Sequence, residues 1–287
     1  VKKDAVSSTA LTVLQGLLYT SRKPEFSHLV SEETQAACEA LLSHSDEGRK
    51  RLRQLQSRLF LASVPLAERL IMPGLTLHYA LRKKCIEEYT RAAVERGVTQ
   101  VINLGAGFDT LAFRLAREFP NVTFIEVDHP ATQRHKAEAF QALDSPCHLL
   151  PVDFVTQNLE QQLSDADIYA PEKSTLFISE GVLMYLEEQD VRTLLTGLKR
   201  ISRSQMEMIF TYLDPSEDNS NGPLLAWYLK LKKEQLHWSI AKRSLGEFLS
   251  PLGYDLETVV DATEFQRRYL PNQNVTLHRG EAVAVAR

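Results

Sequence analysis

Three carboxylates and a glycine turn stand out among the residues that could do chemistry. Gly105-Ala106-Gly107 follows the apolar run Val101-Ile102-Asn103-Leu104 and precedes a helical stretch. Glycines at such a turn let backbone amides approach a ligand that a Cβ would block, and the positive end of the next helix faces the same point. The second apolar run, Phe124-Ile125-Glu126-Val127, ends in Asp128, 21 positions after Gly107. In a βαβ unit that end returns beside the first strand, where a carboxylate can accept hydrogen bonds from both ribose hydroxyls. Asp153, with Phe154 next to it, follows a third apolar run, and Glu180 follows a fourth. Asp153 can accept from an adenine amine while Phe154 packs on the ring, or it can cap the helix starting near Leu159. For Glu180 a capping role is the alternative to a place in the ligand crevice. Acids at the ends of successive strands beside a glycine turn converge on one edge of a sheet, which is where such folds bind ligands.

Two ligand classes use this arrangement, dinucleotides and S-adenosylmethionine. The third glycine of G-x-G-x-x-G would fall at Thr110, so the close helix packing of the dinucleotide fingerprint is missing. A sulfonium cofactor needs no pyrophosphate cradle; it needs carboxylates for ribose and ammonium and a donor for its own carboxylate.

The elements that must hold these residues are readable as two textures. Residues 1–97 are helical, with leucines at helical spacing and Pro24, Pro65 and Pro73 each expected to start or stop a helix. We read this as a helical cap packed on a core of 98–287. The core alternates strands (Val101–Leu104, Val122–Val127, His148–Pro151, Thr175–Ser179, Met206–Tyr212) with helices (Thr110–Glu118, Ala131–Leu143, Leu159–Asp165, Glu187–Ile201). That order predicts a Rossmann-like α/β fold with a mostly parallel sheet and right-handed crossovers. A helical insertion is expected at about 214–252. It opens with the polar, breaker-rich stretch Asp214–Pro223, read as an exposed loop, continues through a helix over Leu224–His237 and ends in a short helix over Ser244–Leu252. Glu257–Val260 and Glu281–Ala286 are expected to add an antiparallel C-terminal hairpin, with an excursion over Asp261–Arg279 between them.

The quoted motifs, with Glu126-Val127-Asp128-His129-Pro130 and Ser179-Glu180-Gly181-Val182-Leu183-Met184-Tyr185-Leu186, resemble the leucine carboxyl methyltransferase family of class I S-adenosylmethionine-dependent methyltransferases. That family includes bacterial O-methyltransferases of small molecules such as polyketides. The resemblance covers about residues 5–213 and fades over the last 70 or so. It implies that Gly105, Ala106 and Gly107 line the cofactor, that Asp128 holds the ribose, that Asp153 reads the adenine, and that Glu180 sits beside the methionine moiety. It also implies that Arg82, in Tyr79-Ala80-Leu81-Arg82, pairs with the cofactor carboxylate. On residues alone, Arg82 beside Lys83 and Lys84 reads as a solvated helix face. The branch that methylates a protein C-terminal carboxylate has an arginine where this chain has Val155, and a lysine near the N-terminus without a counterpart in Ser7-Ser8-Thr9-Ala10. The expected acceptor is therefore a small-molecule carboxylate or hydroxyl, with protein carboxyl methylation, an NAD-linked oxidoreductase and a non-catalytic cofactor-binding protein as alternatives. Tyr185 is the residue expected to position the acceptor; Tyr212, His237 and Trp238 are weaker candidates near the mouth. His129 is expected to shape the adenosine pocket.

The composition is that of an ordinary globular chain: 287 residues, 44% apolar and 24% charged. A net charge of −4 gives no basic footprint for nucleic acid or anionic membrane, so neither is expected as a partner. Cys38, Cys85 and Cys147 lack C-x-x-C spacing, so no structural metal site is expected and a cytoplasmic setting fits.

Overall fold

The computed structural model describes residues 8–140, 145–217 and 235–287. The end of the second predicted core helix, most of the 214–223 stretch and most of the Leu224–His237 helix lie outside the described residues.

Strands β1 (Gln100–Leu104), β2 (Thr123–Asp128), β3 (His148–Pro151), β4 (Thr175–Ser179), β5 (Met206–Leu213), β6 (Leu256–Val260) and β7 (Glu281–Ala286) form one sheet, ordered β3-β2-β1-β4-β5-β7-β6. The first five pair in parallel; β7 runs antiparallel to both β5 and β6. The expected mostly parallel sheet with an antiparallel hairpin is what the chain forms. Order reverses between β1 and β4, so their carboxyl ends open the crevice in which such sheets bind ligands. β1 and β4 are buried along their whole length, as continuous apolar runs covered on both faces require.

Helices α6 (Leu111–Glu118), α7 (Pro130–Phe140), α8 (Leu159–Ser164) and α9 (Glu188–Ile201) make the crossovers. Before them come α1 (Ser8–Ser21), α2 (Glu32–Ser43), α3 (Asp46–Gln56), α4 (Arg58–Leu70) and α5 (Leu75–Glu95). Side chains start several of these: Ser31 accepts from Thr34 N, and Ser45 from Gly48 N, each with two acids in the first turn favoured by the helix dipole. Leu11, Leu14, Leu17 and Leu18 of α1 and Leu77, Leu81 and Ile86 of α5 share one apolar core with Val101, Ile178 and Val285 on one face of the sheet. The other face packs on α8, α9 and the later helix α10 (Lys242–Leu249), through Leu163, Leu195 and Leu245.

One expectation is corrected. Pro65 neither starts nor stops a helix; it lies inside α4. The helix has no buried residue, so the carbonyl deprived of its N–H partner can turn to water, which lowers the cost of an interior proline. The excursion between β6 and β7 holds a helix, α11 (Ala262–Tyr269), whose cap is Asp261, accepting from Glu264 N. The spacing Asp261-x-x-Glu264 before Phe265 is a capping signature that marks it.

Among the described residues, no single helix is long and apolar enough to cross a membrane.

Candidate active site

At the carboxyl ends of β1, β2 and β4 the sheet opens into a cleft of about 760 Å³, roofed by α1, α5 and the segment before α2. Its base is the glycine turn. Gly105 has φ +63° and Gly107 φ +49°, both left-handed. A Cβ on Gly105 would come 2.4 Å from Val182 Cγ2, so this glycine seats the loop after β4. A Cβ on Gly107 would meet no protein atom nearer than 4.0 Å and would instead occupy space beside the cleft. Asp128 braces the turn: one carboxylate oxygen accepts from Gly107 N at 2.7 Å and the other from His129 N at 2.7 Å.

Beside the turn lies a buried charge network built largely on α5. Arg82 is 7% exposed. Its Nε donates to Glu180 Oε1 at 2.8 Å and its Nη1 to Glu281 Oε2 at 2.5 Å, while Nη2 lies 2.8 Å from Glu180 Oε1. Lys83 Nζ lies 2.9 Å from Asp109 Oδ1 and 3.0 Å from Glu180 Oε2. Asp109 also accepts from Asn103 Nδ2 at 3.1 Å and Leu111 N at 3.2 Å. His78 Nε2 completes the set at 2.9 Å from Glu281 Oε2. Burial alone would raise the carboxyl pKa values. Lys83 and Lys136 more than offset it at Asp109, and Arg82 and His78 do so at Glu281, holding both acids well below the usual carboxylate range. Glu281 and Glu180 in turn push the Arg82 pKa up against its burial.

Arg82, Gly105, Ala106, Gly107, Asp128, Glu180 and Tyr185 all line this cleft. The solvated-face reading of Arg82 fails because α5 is buried between α1 and the sheet and turns Arg82 toward β4 and β7. Asp153 and Phe154 are not in the lining. They begin the loop after β3, next to Asp128, whose carbonyl accepts from Val152 N at 2.8 Å. The Asp153 carboxylate accepts from Val155 N and Thr156 Oγ1 in its own turn, and Asn158 rather than Asp153 caps α8. Of the weaker candidates, Tyr212 is fully buried with its hydroxyl pKa raised by burial, Trp238 packs on Phe248, and His237 lies 2.6 Å from Glu187. His129 Nδ1 accepts from Ala131 N at the start of α7.

Lys83, Asp109, His278 and Glu281 belong to the site and were not singled out from sequence. Asp109 stands two residues after Gly107 within the recognised motif, and Lys83 adjoins Arg82, so position could have found both. His278 and Glu281 come from the C-terminal stretch where resemblance fades, and only their contact with α5 reveals them.

The strand order and the site together define a Rossmann-like methyltransferase fold. A methyltransferase structure from Thermobifida fusca is similar over 87% of this chain and 92% of that one, with a TM-score of 0.60 at 18% identity. In sequence, residues 26–199 match the leucine carboxyl methyltransferase family. A Parafrankia protein named as an S-adenosyl-L-methionine-dependent methyltransferase is 32% identical over 130 residues, 44% of this chain and 41% of that protein. One from Streptomyces coelicolor is 33% identical over 135 residues, 46% and 47% of the two chains. The alignments thus span less than half the length of these curated relatives. The chain belongs to the leucine carboxyl methyltransferase family, whose members are S-adenosylmethionine-dependent methyltransferases.

Proposed function

We propose that this chain methylates an oxygen of a small molecule, a carboxylate or a hydroxyl, with S-adenosylmethionine as donor. The observation that carries the reading is one cleft that joins the glycine turn, Asp128 and the Arg82–Glu180 pair to an apolar end lined by Val13, Leu14, Leu17, Leu29, Val30 and Leu75. One end suits a polar cofactor; the other suits a separate acceptor.

The residues fit the cofactor on three grounds. Space lies open at Gly107, where a side chain would intrude. Asp128 retains acceptor capacity for ribose hydroxyls after its two backbone bonds. Arg82 spends three of its five N–H groups on Glu180 and Glu281, which leaves two for a carboxylate. Glu180 would take the ammonium group, Gly105–Gly107 would lie along the methionine portion, and Asp153 with Phe154, at the Asp128 side, would face the adenine. When bound, the cofactor supplies an electrophilic methyl group on sulfur. The protein's task is then alignment and exclusion of water, because in-line transfer gains most from pre-set geometry. Tyr185, which lines the cleft two residues from Leu183 of the Val182 loop, would orient the acceptor.

Val155 supports a small acceptor over a protein tail. It is 92% exposed on the loop after β3 and offers no charge to a peptide carboxylate. Calorimetric titration with S-adenosylmethionine, S-adenosylhomocysteine and NAD tests the reading. The two sulfur compounds should bind and NAD should not; binding of NAD alone would overturn it.

A further inference from the structure

His278 has no part in the reading above, yet it lines the same cleft and is 6% exposed. It sits three residues before Glu281, at the end of the excursion between β6 and β7. Its ring stands edge-on to His78, centroids 5.2 Å apart, and its Nδ1 is buried with no hydrogen-bond partner among the described residues. A buried imidazole nitrogen without a partner carries a cost that packing alone leaves unexplained.

The charges around it restrict what can enter. On the cleft floor the permanently charged groups are Arg82 and Lys83 against Asp109, Asp128, Glu180 and Glu281, two cations facing four carboxylates. S-adenosylmethionine carries an ammonium, a sulfonium and a carboxylate, one net positive charge, which leaves the floor with no positive charge to spare. Along the rim, Lys84, Arg91 and Arg114 are matched by Glu88, Glu118 and Glu87. A carboxylate acceptor would therefore bring a further negative charge into a cleft whose cations are already paired, and burying an unpaired charge is costly. A hydroxyl brings none. It does need a hydrogen-bond partner, and His278 supplies one.

We propose that the acceptor is an apolar molecule presenting a hydroxyl, such as a phenol, and that His278 is the catalytic residue that receives its proton. This inference rests on the O-methyl-transfer reading and narrows it. As the acceptor oxygen bonds to the methyl carbon, the carbon–sulfur bond breaks with its electron pair left on sulfur, and the hydroxyl proton passes to a His278 ring nitrogen and on to water. An oxygen gaining a third bond is a strong acid, so a weak base suffices. Burial, then His78, push the His278 pKa down to about 4, with Arg82 lowering it and Glu281 raising it. The ring is thus neutral when acceptor arrives and releases the proton readily.

The test uses 2-naphthol and 2-naphthoate, the same apolar body with either group, titrated calorimetrically into protein saturated with S-adenosylhomocysteine. 2-Naphthol should bind at least about tenfold more tightly than 2-naphthoate. His278→Ala should weaken 2-naphthol at least about tenfold while S-adenosylhomocysteine affinity stays within about twofold, and His278→Gln, which keeps a polar group, should recover part of the loss. Equal or tighter binding of 2-naphthoate, no binding of either, or 2-naphthol affinity indifferent to His278 would each overturn the proposal. Failure of S-adenosylhomocysteine itself to bind would instead strike the underlying cofactor reading and remove both.

Discussion

Replacing Arg82 by lysine separates the two tasks assigned to the guanidinium. Arginine reaches Glu180 through Nε and Nη2 and Glu281 through Nη1, and all three side chains are under 10% exposed. Lysine keeps the charge but presents its donors from a single point, so it can serve one carboxylate well and leaves the other short of a partner. A hydrogen bond to a charged group contributes about 1.5–3 kcal/mol net, and at least one is lost, so the unfolding free energy should fall by about 2–3 kcal/mol. Urea unfolding followed by circular dichroism measures this, with an unchanged slope expected because the fold is retained. Cofactor binding should weaken separately. The two N–H groups left for the cofactor carboxylate belong to the planar fork, and their loss should raise the S-adenosylhomocysteine Kd at least about tenfold, about 1.4 kcal/mol. A stability loss under about 0.5 kcal/mol would refute the claim that one guanidinium holds both acids. A full stability loss with unchanged Kd would leave Arg82 as a structural tie alone and refute its place in the cofactor site.

The glycine turn yields a contrast. Ala at Gly105 or Gly107 should cost about 1–2 kcal/mol for the left-handed backbone, but Gly105→Ala should cost more because its Cβ strikes Val182, while Gly107→Ala should lose S-adenosylhomocysteine affinity out of proportion to stability. Chemical denaturation paired with calorimetry on the two variants reads both quantities, and equal profiles would refute the division of roles. Behind the turn, Lys136 Nζ and Glu126 Oε2 lie 2.5 Å apart with both side chains buried. Burial raises the Glu126 pKa to about 7 despite Lys136, so this carboxyl favours the fold below its unfolded value and loses that contribution as pH rises through 7. Lys136→Met should destabilise by about 3–5 kcal/mol, increasingly above pH 7, whereas Glu126→Leu with Lys136→Met should match or exceed the native chain. Urea midpoints across pH 6–9 decide it, and a double variant as unstable as the single would refute the argument. Asp109 and Glu281 act in the opposite sense. Their folded pKa values are depressed, so their stabilisation is complete above the usual carboxylate range and drains away as pH falls below about 4, and Asp109→Asn should flatten the acid limb of the stability curve.

How much of this was legible in the chain depended on the range over which each signal acts. β1 and β4 are apolar runs with ligand-facing residues at their ends, and a parallel sheet buried on both faces writes that pattern locally. The glycine turn, Asp128 and Glu180 were readable for the same reason: strand order brings strand ends together whatever the side chains do elsewhere. Arg82 is different. Its neighbours Lys83 and Lys84 make a short basic run that ordinarily marks a solvated face, and only resemblance pointed inward. The run is not on one face of a helix at all, since successive residues are set about 100° apart. Arg82 turns toward Glu180 and Glu281 and Lys83 toward Glu180 and Asp109, while Lys84 reaches the rim and Glu88. Pro65 misled in the other direction, because the rule that proline ends helices assumes a carbonyl that cannot reach water.

The residues that could not be read are those whose partners lie farthest along the chain. Glu281 meets Arg82 199 positions away and His78 203 away, and no local pattern announces a carboxylate at the start of a terminal strand as part of a ligand site. Its role follows from topology: β7 runs antiparallel between β5 and β6, so its first residue, rather than its last, reaches the edge where the parallel strands end. The register places Glu281 opposite Leu213 of β5, and Leu213 itself lines the cleft. Reversing one strand thus delivers a carboxylate, and His278 just before it, to the same edge as Glu180 and the glycine turn. A parallel final strand would have placed its beginning at the opposite end of the sheet, leaving Arg82 with one acid and the acceptor without an imidazole.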